Sequence, residues 1–298
     1  MLHAQTMWGW PIAWYLFLAG VSAGTYIVAA FWQYAKKQNY LVKIGIYLTA
    51  PCLGLSIFLL WIDLGQRFKF PYAFLRPHES WISIGAWLLT LFFILVAIQW
   101  LKQFFARKQE QTPDYPGWVW VAGVILAFLT AIYTGILLGV AQAIPFWNTP
   151  LLPVLFLVSA LSTGIGAVML MAVIFKKKQA ADIEEGFHLM AKADVGMIIF
   201  EILCIIFYLY FMAKSGVAAS ASAAMIVSGP LAVIFWLCFA VLGLILPLIM
   251  ELNSLQGSTV KINVTQTAVM SVCLLIGGLA LRYIILAAGI YESVSPFL

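Results

Sequence analysis

The stretch LLWIDLGQRFKFPYAFLRPHESWISIGAW, residues 59–87, joins two long apolar runs through a short polar segment. Asp63 closes the first run, and the second run begins at Trp81. In a membrane protein such a segment lies where two helices meet water, and it marks either an anchor for lipid headgroups or the mouth of a functional site. Lipid anchoring needs basic side chains but no carboxylate at the end of an apolar helix, so Asp63 favours a functional site.

The composition is that of a membrane protein. Charged residues make up 9% of the 298 residues and hydrophobic residues 64%, with a mean hydropathy of +1.02, which excludes a soluble globular domain. Because a spanning helix needs about 20 apolar residues, the protein has room for roughly eight spans. We predict an all-α integral membrane protein, a single membrane domain over 1–298, with apolar runs at about 10–32, 43–63, 81–101, 117–141, 151–175, 194–213, 227–250 and 266–290.

The distribution of Lys and Arg predicts the orientation. Most of these residues lie in the loops that follow the first, third, fifth and seventh runs. By the positive-inside rule, both termini and the loop between Asp63 and Trp81 are therefore predicted to lie outside. The N-terminus lacks a basic region and a cleavage site, so the first run is interpreted as a permanent span.

An internal repeat relates the first and fifth spans. LFLAGVSAG at 16–24 and LFLVSALSTG at 155–164 share LFL followed by small residues. Copies four spans apart cross the membrane in the same direction, which predicts two similarly oriented four-helix halves, 1–150 and 151–298. Close packing of helices also explains small residues at such spacing, and it is compatible with a duplication.

Five ionisable residues lie in or at the ends of the predicted spans: Asp63, Asp194, Glu201, Glu251 and Arg282. A charge inside the membrane is costly, so it normally pairs with another or lines a polar cavity. Two interpretations stay open for the inner residues. Glu201 and Arg282 form a structural pair, or Asp194, Glu201 and Arg282 form a proton pathway that reaches part-way from the inside.

Asp63 lies at the outer end of its span, near the predicted depth of two tyrosines. Tyr15 falls roughly 8 Å, and Tyr133 about 12 Å, below the outer ends of their spans at 1.5 Å per residue. Two hydroxyls and a carboxylate can thus share one outer pocket. The alternative for each tyrosine is the aromatic belt at the membrane interface.

The sequence offers no ligands for a metal centre of its own. His3, His78 and His188 fall outside the apolar runs, so an embedded haem is not expected, and the four cysteines form no cluster motif. If the protein takes part in redox chemistry, its electrons must come from a diffusible carrier and pass to a partner. We expect no metal and no nucleic acid; the lipid bilayer is the predicted surrounding.

Several motifs, in order along the sequence, carry a family resemblance. The protein resembles the NrfD/PsrC-like membrane-anchor subunits of polysulfide and nitrite reductase complexes. The resemblance rests on WGWPIAWYLFLAGVSAG at 8–24, LLWIDLGQRFKF at 59–70, SWISIGAW at 80–87, IYTGILLG at 132–139, PFWNTPLLPVLFLVSALSTG at 145–164, ADVGMIIFEI at 193–202 and GGLALRYIILAAG at 277–289.

The resemblance implies a function for the whole protein. Such subunits sit in the prokaryotic inner (cytoplasmic) membrane and bind a quinol, here menaquinol, near the outer face. A docked iron–sulfur subunit exchanges electrons with them and with a catalytic subunit, often a molybdopterin enzyme. No haem, no iron–sulfur cluster and no catalysis on the terminal substrate is expected in this protein.

The resemblance also assigns site residues. The first-span position that hydrogen-bonds quinone falls on Tyr15, where related subunits have histidine, and the fourth-span tyrosine falls on Tyr133. The acidic residue falls on Asp63, while the asparagine expected near the start of the first span is replaced by Ile12. Tyr15 and Tyr133 are thus predicted to hold the ring oxygens, and Asp63 to accept protons. Arg67 is predicted to keep Asp63 ionised until a proton arrives.

The outer loop is the predicted docking surface for the partner, with lipid headgroups as the alternative ligand. The docking residues are Arg67, Phe68, Lys69, Arg76 and His78. Two other functions stay open: a proton-translocating module coupled to quinone turnover, and a secondary transporter suggested by the repeat.

Overall fold

The computed structural model describes residues 2–6, 8–36, 39–64, 67–75, 80–106, 115–175, 180–256 and 264–292. Within these ranges, eight helices are long and apolar enough to cross a membrane. The prediction of an all-helical protein with eight spans is confirmed. The spans cover Trp10–Ala35, Asn39–Asp63, Trp81–Phe105, Gly117–Gly139, Leu151–Ile174, Glu185–Met212, Ile234–Leu255 and Val264–Ala287.

The helices follow the apolar runs closely at most ends. In sequence order they are α1 Trp10–Phe31 with a π-helical extension Trp32–Lys36, α2 Asn39–Asp63, a 3-10 helix Arg67–Phe74, α3 Trp81–Phe105, α4 Gly117–Gly139, α5 Leu151–Ile174, α6 Ala180–Met212, α7 Val217–Val227, a π-helical segment Ile234–Ile245, α8 Leu246–Gln256 and α9 Val264–Ala287. The strands β1 Leu2–Ala4 and β2 Ile290–Glu292 flank them.

Two boundaries differ from the prediction. The sixth span was predicted to start at 194 after a long connection, but α6 begins at Ala180. Hydropathy finds only the apolar part of a helix, whereas charged residues are tolerated where a helix continues beyond the bilayer. The short helix α7 was not predicted. Its eleven residues are too few to span the membrane.

The two repeat-bearing helices, α1 and α5, pack against each other at the centre of the protein. A Cβ atom at Gly24 would overlap the carbonyl oxygen of Ala160, and one at Gly164 would overlap the Gly24 backbone. Small residues therefore bring the two backbones into direct contact, as they do in many membrane helix pairs. The repeat thus has a packing role in this fold.

The other spans surround this pair. On one side α1 contacts α2 and α4, and α3 packs between those two helices. On the other side α5 contacts α6 and α9, and α8 packs on both of them. That these groups are similarly oriented halves, 1–150 and 151–298, stays a prediction.

Both described ends of the protein lie on one face of the bundle. β1 pairs with β2 in antiparallel register, with His3 opposite Tyr291. Gln5 Nε2 donates a hydrogen bond to the Leu286 carbonyl oxygen at 3.0 Å, and Trp147 Nε1 donates to the Ile285 carbonyl oxygen at 2.7 Å. We call the face that carries β1 and β2 the terminal face. Because successive spans alternate in direction, the loop after α2 also opens on the terminal face.

Candidate functional site

Two tyrosines face each other among the first four helices, close to the terminal face. Tyr15 on α1 is 1% exposed, and its hydroxyl has no hydrogen-bond partner among the described residues. Tyr133 on α4 is also buried; its hydroxyl donates to the carbonyl oxygen of Trp81 at 3.0 Å. The two phenol groups are close enough to interact electrostatically.

The depths of the two tyrosines agree more closely than predicted. Tyr15 lies five residues inside the start of α1, which is about 8 Å at 1.5 Å per residue. Because α4 ends at Gly139 and not at 141, Tyr133 lies only about 9 Å inside its helix end by the same rise. The structure therefore brings the two predicted tyrosines to one level.

A glycine fixes the position of Tyr133. A Cβ atom at Gly85 on α3 would overlap the ring and the hydroxyl of Tyr133. Tyr133 can thus reach the first residue of α3, Trp81, only because the helix has no side chain at position 85. Sequence reasoning did not single out this glycine, since its role depends on a neighbouring helix.

Ser83 adds a second unpartnered hydroxyl in the first turn of α3. It is buried, and its Oγ atom has no hydrogen-bond partner in the described part of the protein. The only sequence signal is a small polar residue between large apolar ones. That signal is weak because serine is common where membrane helices pack.

Asp63 lies nearer to water than the tyrosines. It is half-buried and ends α2. Seven residues earlier, Ser56 Oγ donates to the Tyr15 carbonyl oxygen at 3.0 Å, so Asp63 lies about 10 Å further toward the terminal face. The Tyr15 side chain points toward the start of its helix and hence toward that face, which narrows the gap. Asp63 therefore lies toward the mouth of the site, and the tyrosines lie inside.

Most of the predicted docking residues cannot be placed. The backbone of Arg67–Phe74 forms the 3-10 helix, but the side chains of three predicted docking residues, and two further ones entirely, lie outside the described residues. These are Arg67, Phe68 and Lys69, and then Arg76 and His78.

The described part of this segment presents apolar side chains on the terminal face. Tyr72 is 68% exposed and Leu75 is 66% exposed. Trp87 Nε1 donates to the Phe74 carbonyl oxygen at 3.1 Å, which ties the segment to α3. An apolar surface therefore lies beside Asp63, along the sequence and in space.

A second polar region lies between α5, α6 and α9, with Arg282 at its centre. Arg282 on α9 has no exposed surface. Its Nη1 donates to Ser159 Oγ and to the Gly278 carbonyl oxygen, and its Nη2 donates to the Phe156 carbonyl oxygen at 3.3 Å. A Cβ atom at Gly20 on α1 would lie 3.2 Å from Nη2. The guanidinium is thus held rigidly against α5 and α1.

The carboxyl groups of α6 face the same region. Glu201 is buried, interacts with Arg282 and accepts a hydrogen bond from the Ser159 hydroxyl. Ser159 therefore links the two charges. Asp194, two turns earlier on the same face of α6, is buried beside the hydroxyl of Ser162. The structure brings together the three residues predicted for a proton pathway, Asp194, Glu201 and Arg282.

The structure adds Glu251 of α8 to these residues. Its carboxyl group is within hydrogen-bonding reach of Asp194, and neither residue has exposed surface. The sequence showed Glu251 as an acid at the inner end of the seventh span, without a partner. Only the packing of α8 on α6 reveals its neighbour. We call Asp194, Glu201, Glu251 and Arg282 the charge cluster.

Helix α1 separates the two polar regions. Tyr15 interacts with Tyr133 of α4, whereas Gly20 packs against Arg282 and Ala160 on the other side. Five residues turn a helix by about 140° beyond one full turn, so these positions face different neighbours. The tyrosine site and the charge cluster are therefore distinct sites. Across the described ranges, no group of three or more His, Cys, Asp or Glu side chains is placed to hold a metal ion.

Eight apolar helices with buried polar groups between them define a multi-pass integral membrane protein. Residues 2–293 match the family model described as polysulphide reductase, NrfD. The protein belongs to this family, and the predicted resemblance is confirmed.

Curated relatives agree with the family model. The protein is 30% identical to the C subunit of polysulfide reductase from Wolinella succinogenes, over 96% of its own length and 95% of the relative. It is 28% identical to the protein NrfD of Escherichia coli, with 96% of each sequence covered. It is 25% identical to the Hdr-like menaquinol oxidoreductase integral membrane subunit of Archaeoglobus fulgidus, over 56% of its own length and 42% of the relative. The protein is therefore a membrane-anchor subunit of the NrfD type.

Proposed function

We propose that this protein is the quinol-oxidising, or quinone-reducing, anchor of a respiratory oxidoreductase. The observation that carries the proposal is the buried Tyr15 hydroxyl, which has no hydrogen-bond partner in the described structure and lies beside Tyr133. A buried polar group without a partner is costly. A quinol oxygen would supply the missing hydrogen bond, so the site fits this class of ligand.

The chemistry of the site suits a quinol. Oxidation of a quinol to a quinone releases two electrons and two protons, so the ring oxygens need hydrogen-bonding groups and the protons need an acceptor. Tyr15 and Tyr133 can hold the two oxygens. Asp63, half-buried toward the mouth, can accept protons and pass them to water, and Arg67 can tune its charge. Reduction of a quinone would use the same groups in the opposite direction.

The similar proteins favour this assignment and indicate the partners. One relative's name includes menaquinol, which points to menaquinone as the quinone. Another is a subunit of polysulfide reductase, which points to a catalytic subunit, often a molybdopterin enzyme, reached through an iron–sulfur subunit. We place this complex in a prokaryotic inner membrane, with the terminal face outside.

The iron–sulfur subunit is proposed to dock on the terminal face beside Asp63. Exposed Tyr72 and Leu75 supply an apolar surface there. The predicted docking residues Arg67, Phe68, Lys69, Arg76 and His78 would add polar contacts. Docking at this position brings the cluster nearest to the quinol, because the tyrosine site lies about 10 Å below the mouth.

The test compares Tyr133→Phe with wild type in the purified complex at equal assembly. We expect a large loss in the rate of oxidation of a quinol analogue, because one hydrogen bond to a ring oxygen is removed. Tyr208→Phe is the matched control, since this buried hydroxyl on α6 donates to the Phe146 carbonyl oxygen, away from the tyrosine site. Undiminished turnover of Tyr133→Phe, with the partner bound, would assign Tyr133 to the aromatic belt and move the quinol elsewhere.

A second role, proton translocation coupled to quinone turnover, is proposed for the charge cluster. It rests on the burial of Asp194, Glu201 and Arg282 together with linking serines. Glu201→Gln keeps the shape of the side chain but removes its charge. We expect fewer protons released per quinol oxidised in sealed vesicles. Unchanged proton release and unchanged turnover would make the inner carboxyl groups structural.

A further inference from the structure

The charge cluster has an excess of acidic groups. Asp194, Glu201 and Glu251 are all buried, and Arg282 is the cation that they meet among the described residues. If all four groups were ionised, two negative charges would remain uncompensated inside the membrane. An uncompensated buried charge is strongly unfavourable. Further positive charge must therefore be held within the cluster.

Arg282 serves one carboxyl group of the three. Its nitrogen atoms donate to α5 and to its own helix, and its electrostatic partner is Glu201, through Ser159. Asp194 and Glu251 are left facing each other. None of their four carboxyl oxygen atoms has a geometrically formed hydrogen bond from a donor group in the described structure. The Ser162 hydroxyl is the one neutral group that approaches Asp194.

The helices packed around the pair contribute no second cation within the described ranges. Helix α5 contributes only the hydroxyls of Ser159 and Ser162, and α6 contributes Glu201, whose charge is negative. Two carboxyl groups in contact without a cation are satisfied when one of them carries a proton and donates it to the other. This arrangement forms a hydrogen bond and removes one negative charge.

We propose that Asp194 and Glu251 share one proton and form a buried proton-binding site that exchanges with the membrane face opposite the terminal face. Glu251 lies five residues before the end of α8, about 8 Å from the helix end on that face. Glu201 lies two turns further toward the terminal face on α6. The pair is thus the entry position of the proposed pathway, and Glu251 is its added member.

The helix that carries Glu251 has an unusual conformation. A π-helical segment, Ile234–Ile245, runs directly into α8. Such segments are rare and occur frequently at functional sites. Here the wider turn shifts the register of the seventh span just before Glu251, which lets its carboxyl group face α6.

The inference extends the second proposed role, but its test needs neither quinol nor turnover. The complex is reconstituted in phosphatidylethanolamine and phosphatidylglycerol vesicles, and its infrared spectrum is recorded at neutral pH in potassium buffer, in H₂O and in ²H₂O. Wild type is expected to show a protonated-carboxyl stretching band that shifts in ²H₂O. The double variant Asp194→Asn/Glu251→Gln is expected to lose the equivalent of one such group per protein molecule.

Two controls make the result decisive. Glu201→Gln, which leaves the pair intact, is expected to keep the band. The two amides of the double variant can hydrogen-bond to each other, so the variant is expected to assemble, and subunit content in the purified complex checks this. A wild-type spectrum equal to that of the assembled double variant would overturn the proposal.

The sodium ion is the competing occupant. Replacing potassium by sodium in the buffer is expected to leave the band unchanged. Loss of the band on adding sodium would show that the pair binds that cation, and would overturn the assignment to a proton. Loss of quinol oxidation in another variant would not affect either outcome, so the inference and the quinol function fail separately.

Discussion

Replacing Tyr15 by phenylalanine separates a functional hydroxyl from a structural one. The Tyr15 hydroxyl is buried and has no hydrogen-bond partner in the described structure. A polar group left in this state costs about 1–3 kcal/mol. Tyr15→Phe is therefore expected to leave the thermal stability of the quinol-free complex unchanged, or to raise it, although most buried substitutions lower it.

The same change should weaken catalysis. If the hydroxyl bonds to a quinol oxygen, its loss removes about 0.5–1.5 kcal/mol of interaction. Since about 1.4 kcal/mol is a factor of ten, kcat/KM for the quinol should fall roughly 2- to 10-fold. Stability and activity should thus change in opposite directions, which a purely structural role for the tyrosine does not predict.

The assay measures quinol-analogue oxidation by the purified complex, together with its melting temperature and its content of bound quinone. Tyr208→Phe serves as the control, because its hydroxyl donates to a backbone carbonyl oxygen. That variant should melt at lower temperature yet keep its turnover per assembled complex. A Tyr15→Phe complex with normal kcat/KM and normal quinone content would refute the reasoning.

Two glycine variants test the packing that builds the site. Gly85→Ala should displace the Tyr133 ring and lower quinol oxidation at least as much as loss of the hydroxyl, measured at equal assembly; normal turnover would show that the ring position is unimportant. Gly164→Ala should push α5 away from Gly24 and cost about 1–3 kcal/mol or more, seen as a lower yield of assembled complex. Gly196→Ala, with open space around it, should change neither quantity.

The number and placement of the spans could be predicted from sequence because membrane insertion depends on a local property. A run of about 20 apolar residues is sufficient to identify a span, whatever its neighbours are. The start of α6 at Ala180 was missed for the same reason. The part of that helix beyond the bilayer is polar, so hydropathy does not include it.

The candidate site was predicted in part. Tyr15, Tyr133 and Asp63 were identified by residue type, by depth and by the family resemblance, and depth follows from helix rise alone. Gly85 and Ser83 were not singled out, because their roles depend on which helix lies opposite them. A glycine in a membrane helix carries no sign of the ring that occupies its place.

The sequence by itself determined the class of protein, its eight helices and the residues whose charge needed an explanation. Tertiary structure alone decided which of those residues meet. Asp194 and Glu251 belong to helices far apart in the sequence, and they touch only because α8 packs on α6. The physical reason is that hydrophobicity fixes how each helix crosses the membrane, while the rotation of a helix about its axis follows from side-chain packing against its neighbours.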